Sequence, residues 1–217
     1  MPHSDVDFAQ HLGLEQVRDC RGSARLGSFS REKRMKRTFC LLTLVVSLVA
    51  GTGLASAQGQ PPVAAPGSVE ELLAFWDVVS KGLVQMAEHF PEDKYDYRPT
   101  PEVRSVAELI LHVAHANYLF SEIAQGQKPS TPPFSREKYK TKAACLAALK
   151  KSFDDAAAVL REMGNARMSA LTRLPNGKEL SAHEVWMMAI IHGVSHRGNL
   201  VTYSRLNGLA PPPMPEP

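Results

Sequence analysis

Three times along this chain a serine is followed three residues later by a glutamate, and each time a run of apolar residues at helical spacing begins at once. The pairs are Ser68 with Glu71, Ser105 with Glu108, and Ser181 with Glu184. In such a capping box the serine hydroxyl accepts from a free backbone N–H of the first turn, while the glutamate reaches back to the serine's own N–H. After the first box, Val69, Leu72, Trp76, Val79, Leu83, Met86 and Phe90 advance in steps of three and four. Val106, Leu109, Val113, Ala116, Phe120 and Ile123 do the same after the second. Pro91, Pro99 and Pro101 separate the two runs. A further helix is expected from about Ser135 or Thr141 to Met163, with Leu146, Leu149, Phe153, Ala157 and Leu160 on one face and Gly164-Asn165 as its stop. The last helix follows Ser181 and ends at Asn207-Gly208, before Pro211, Pro212 and Pro213. No convincing strand-like alternation and no internal repeat is found. The expected fold class is all-α, a four-helix bundle.

The bundle does not use the whole chain. From Met35 the sequence reads Met-Lys-Arg, then an apolar stretch from Phe39 to Leu54, then Ala55-Ser56-Ala57 before Gln58. A basic start, an apolar centre and a small-x-small site describe a secretory signal peptide over residues 35–57. The apolar stretch falls short of the ~20 residues of a spanning helix, which favours cleavage over anchoring. Residues 1–34 are expected to lie outside the fold, as a disordered leader or a stretch upstream of a true start at Met35. Residues 58–67 are read as a flexible tether. The expected protein is exported, periplasmic or secreted, with no membrane attachment after cleavage.

Removing the leader changes the electrostatics. Residues 1–57 hold eight of the 25 basic and five of the 22 acidic residues, so 17 of each remain. A neutral balance gives no support for nucleic-acid binding. Of the three cysteines, Cys20, Cys40 and Cys145, only the last follows Ala57, so the mature chain has no internal disulfide and Cys145 is read as a small core residue.

The last helix carries the chemistry. Continued from Val185 and Met188, its inward seam lands on His192, His196 or Ser195, Asn199, Tyr203 and Leu206. Burying a polar group without a partner costs about 1–3 kcal/mol, so two imidazoles and an amide in one layer call for partners. A spacing of four places the rings of His192 and His196 one turn apart on the same face. His112, near the middle of the second helix and beside Leu109 and Ala116, can reach the same layer, since neighbouring helix axes lie ~8–10 Å apart. Three imidazoles suit a late divalent ion and leave coordination positions open, the arrangement of catalytic rather than structural zinc. Against this stands the plainer reading of two helix-surface or hydrogen-bonded core histidines. His115, about 60° round the helix from His112, is read as a surface or satisfied histidine rather than a fourth ligand. His89 and His183 are read as structural, and Glu108 as a cap residue one turn before His112. No His-Glu-x-x-His supplies a general base beside the ligands.

The stretch Arg98-Pro99 through Ser105-Val106-Ala107-Glu108-Leu109-Ile110-Leu111-His112-Val113-Ala114 resembles the DinB family. So does His192-Gly193-Val194-Ser195-His196-Arg197-Gly198-Asn199, with Arg205-Leu206-Asn207-Gly208 and the prolines beyond. The likeness spans about residues 68–213 and is most specific in the second motif. It implies an up-down-down-up four-helix bundle with a divalent metal, zinc or nickel, on His112, His192 and His196. Relatives are often described as metal-dependent hydrolases, and some are transferases or isomerases that use low-molecular-weight thiols. This chain departs from the family in Asn199, where glutamine is common, and in its expected export.

The function expected is therefore hydrolysis of a small molecule by metal-bound water. Metal-assisted thiol transfer or isomerisation, and a bundle that binds metal or ligand without turnover, stand as alternatives. A second apolar stripe on the last helix, Met187, Ile191, Val194 and Val201, suggests burial on two sides and hence a homodimer.

Overall fold

Residues 64–216, apart from Pro175, are described in the computed structural model, so the expected leader, the expected signal peptide and most of the expected tether lie outside the described residues. The four expected helices form as α1 (Val69–His89), α2 (Val106–Ala124), α3 (Lys142–Met163) and α4 (Ala182–Leu206). Complete capping boxes open α2 and α4, where Ser105 and Ser181 each exchange bonds with the glutamate three residues on. At α1 the box is only half made. Ser68 Oγ accepts from Glu71 N–H, but the Ser68 N–H closes a turn onto Ala65 O, so the Glu71 carboxylate takes the Gly67 N–H instead. Of the two starts considered for α3, Thr141 is the cap, its hydroxyl accepting from Ala144 N–H. Gly164 ends that helix at φ +62°, a conformation that glycine adopts without steric cost.

The hydrogen bonds between helix ends give their directions. Lys142 at the start of α3 donates to Phe90 O and Glu88 O at the end of α1, while Asn165 beyond α3 accepts from Val69 N–H at the start of α1. These two helices run antiparallel. Arg167 after α3 donates to Gln125 O after α2, which makes α2 and α3 parallel, and Tyr203 near the end of α4 donates to Arg104 O ahead of α2. The order is up-down-down-up. Each of α1 and α2 packs against both α3 and α4, so the helices alternate round the bundle as α1, α3, α2, α4.

Every apolar position read for α1 and α2 is buried. A cluster of Trp76, Phe153 and Trp186 fills one end of the core, with the Trp76 indole N–H donating to Phe153 O. On α4, Gly193 makes room for the Val79 side chain of α1, since a Cβ there would come 2.5 Å from Val79 Cγ1.

Two expectations fail. The connection from Gly164 to Ser181 holds a small antiparallel hairpin, β1 (Leu171–Arg173) with β2 (Glu179–Ser181), paired from Leu171 opposite Ser181 to Arg173 opposite Glu179. Three-residue strands are too short for alternation to register in a sequence, although Thr172 and Leu180 do face inward and the Thr172 hydroxyl donates to Ile123 O at 2.8 Å. The inward seam drawn on α4 is also displaced. Val185 and Tyr203 are buried, but Leu206 is 60% exposed and Asn199 is exposed, because the core face runs through Ala189, Gly193 and Leu200. His192 and His196 consequently sit at the margin of the core, half-buried.

Candidate metal centre

His112 stands in the second turn of α2, behind the Ser105 cap, and His192 and His196 stand one turn apart on the face of α4 that meets α2. The antiparallel packing brings all three rings together. His112 Nε2 and His196 Nε2 each lie 3.0 Å from His192 Nε2. Ring centroids are 5.0 Å apart for His112 and His192, 4.9 Å for His112 and His196, and 4.3 Å for His192 and His196. Phe120, two turns beyond His112, stands with its ring 5.5 Å from that of His192 and forms an apolar wall.

The donor set fits a cation. An imidazole nitrogen has one in-plane position, holding either a lone pair or a hydrogen, so His192 Nε2 cannot hydrogen-bond well to two neighbours at once. Two close approaches to one nitrogen are what lone pairs aimed at a common point produce. Two nitrogens each ~2.1 Å from one ion are about 3.0 Å apart at a right angle and about 3.4 Å apart at the tetrahedral angle, so the observed 3.0 Å fits two ligands at a right angle as well as it fits a single N–H···N hydrogen bond. Each ring offers one ligand atom, and the three atoms lie within 4.8 Å of one another.

Nearby titratable groups have other duties. Glu108 accepts from Ser105 N–H at 2.7 Å and pairs with Arg98 at 3.0 Å. Partial burial pushes its carboxyl up, but those two partners outweigh burial and hold it below the ordinary range. His115 Nε2 lies 3.0 Å from Thr131 O, so that ring is tied to the loop after α2. His89 and His183 stand at helix termini, apart from the trio. Cys145 is fully buried, with Sγ 3.4 Å from Tyr139 O, and burial raises its thiol, so it is no ready thiolate. Phe120 was legible only as a core residue, since nothing in an apolar periodicity marks which ring borders a site.

Fold and site together define a four-helix bundle with an up-down-down-up path and three convergent imidazoles between its second and fourth helices. A model of the DinB family matches residues 65–217. YjoA of Bacillus subtilis is 24% identical over 126 residues, which is 57% of this chain and 80% of that protein. A DinB-like protein from Bacillus cereus has the same fold, with a TM-score of 0.60 at 14% identity over 69% of this chain and 99% of its own. YfiT of Bacillus subtilis, described as a probable metal-dependent hydrolase with an unusual four-helix bundle topology, gives a TM-score of 0.53 at 16% identity over 70% of this chain and 94% of that one. This chain belongs to the DinB family.

Proposed function

We propose that this DinB-family protein is an exported metal-dependent hydrolase of a small molecule, with zinc or nickel held by His112, His192 and His196. The observation that carries the reading is the placement of His192 Nε2 3.0 Å from two other imidazole nitrogens, a packing that hydrogen bonds alone satisfy poorly. A divalent ion on three imidazoles retains positions for water or a substrate oxygen, and lowers the pKa of such water toward about 7. The protein's part is to aim three rings from two helices and to limit solvent on one side with Phe120. The description of YfiT points in the same direction.

Elemental analysis of untagged protein after exposure to zinc, nickel or manganese tests the site. Close to one equivalent is expected, and less than about 0.2 would overturn the reading in favour of a hydrogen-bonded bundle. Loaded protein is then assayed on a panel of esters, amides and phosphoesters, with and without a low-molecular-weight thiol. Turnover only with thiol would replace hydrolysis by thiol transfer, and metal binding without any turnover would leave a binding protein.

Export rests on the Met35–Ala57 pattern. Among the described residues no helix is long and apolar enough to cross a membrane. Cell fractionation with N-terminal sequencing is expected to find a mature chain starting at Gln58 outside the cytoplasm, and an uncleaved cytoplasmic chain would refute export. Pairing of two copies through α4 is supported by Ile191 and Val194, which are 58% and 47% exposed on the stripe with Met187 and Val201. Light scattering at tens of micromolar is expected to give a dimer that Ile191→Asp dissociates, and a wild-type monomer would reject it.

A further inference from the structure

Beyond the three rings, the exposed side chain of Asn199 reaches back one turn along α4 toward His196, and its carboxamide nitrogen lies 3.2 Å from His196 Nδ1. That nitrogen is on the opposite edge of the ring from Nε2, the atom directed at His192. We infer that Asn199 is a positioning residue that holds the His196 ring in the orientation from which Nε2 can ligate. This rests on the metal reading above but assigns a residue outside the trio.

The reasoning is a count of protons. A neutral imidazole carries one N–H and one lone pair, so His196 can aim a lone pair from Nε2 only if Nδ1 holds the hydrogen. That Nδ1–H then needs an acceptor. A carboxamide has an acceptor and a donor on one carbon, so a half-turn of the side chain exchanges Oδ1 for Nδ2 at nearly the same place. With Nδ2 toward the ring, Asn199 donates to Nδ1 and favours a proton on Nε2. With Oδ1 toward the ring, it accepts from Nδ1–H and leaves Nε2 free to ligate. Asn199 thus accommodates either tautomer without adding a charge beside the site, and in the second state it holds the ring in the plane that coordination requires. An aspartate at this position accepts only, whereas a leucine does neither.

Asn199 is exposed, so both substitutions leave the packed core intact. Zinc affinity is measured by competition with a chromogenic chelator, alongside circular dichroism to confirm folding and nitrogen-detected NMR of the His196 ring. Asn199→Leu is expected to bind zinc about 10–100-fold more weakly, the range for loss of a ligand's outer partner. Asn199→Asp is expected to regain or exceed wild-type affinity, with the hydrogen on Nδ1 in the zinc-loaded state. Asn199→Leu within about twofold of wild type, or Asn199→Asp as weak as Asn199→Leu, would overturn the assignment. Wild-type protein that binds no zinc would sink the metal reading and this inference together. Normal zinc binding with an indifferent Asn199→Leu would sink this inference alone.

Discussion

The two sides of α2 handle polar groups in opposite ways. Toward α3, Asn117 and Ser152 are almost wholly buried, yet the amide donates to the hydroxyl at 3.0 Å and the hydroxyl donates to Leu149 O at 2.7 Å. One turn of α3 further on, Tyr118 donates to Asp155 at 2.6 Å. Burial first, and then the Asp155 carboxylate, push the phenol above its ordinary pKa and keep it a neutral donor. Toward α4, His112 Nε2 and His196 Nε2 both crowd onto His192 Nε2. The first interface matches donors to acceptors within the chain. The second gathers three imidazole nitrogens within 4.8 Å of one another, an arrangement that could hold a cation. Asn117 and His112 are five residues apart, about 140° round the helix, so one helix presents both solutions on separate faces.

His192→Ala is expected to weaken zinc binding by more than the roughly 10–100-fold typical of outer partners, while His89→Ala leaves it unchanged in the same chelator competition. Equal losses in both would refute the assignment. Metal should also stabilise the fold, because only the folded chain brings the three rings together. At a free concentration of 100 times Kd the gain is about 2.7 kcal/mol, read as a rise in urea midpoint that EDTA reverses. The opposite face should respond in the opposite sense. Asn117→Ala is expected to cost about 1–3 kcal/mol in denaturant unfolding by leaving Ser152 short of a partner, with zinc affinity unaltered.

The smallest effect is electrostatic. Glu108 and Glu122 are both pushed up by partial burial but more strongly held down, the one by Ser105 N–H and Arg98, the other by Ser130 and Thr131. A carboxylate with a depressed folded pKa contributes stability that is present above the unfolded value of about 4.3 and disappears as pH falls through the folded value. The urea midpoint of metal-free protein is therefore expected to drop as pH is lowered from about 5 toward 3, and Glu122→Gln should flatten that dependence. An unchanged slope in the variant would show that Glu122 has no such role.

Much of this was readable without coordinates, and for identifiable reasons. The helices were legible because caps and three-four periodicity are local, so Ser105 with Glu108 and Ser181 with Glu184 announce their termini on their own. His192 and His196 were legible as a pair because a spacing of four within one helix is itself a distance. The β1–β2 hairpin was missed since three residues carry no period, and the α4 seam was misplaced since Asn199 and Leu206 lie off the core face that runs through Ala189, Gly193 and Leu200. The bond between Asn199 and His196 sits three residues apart on an exposed face, where a sequence cannot distinguish a partner from a solvated amide.

Chain order alone determined the four helices, their stops and the two-ring half of the site, because each depends on residues within a turn or two of one another. The third ring is different. Whether His112 meets the others depends on α2 running antiparallel beside α4, on which stretch of each helix lies level with the other, and on helices alternating round the bundle so that these two become neighbours. Those are outcomes of packing summed over the whole core, including the close approach that Gly193 allows against Val79, and no local run of residues encodes them.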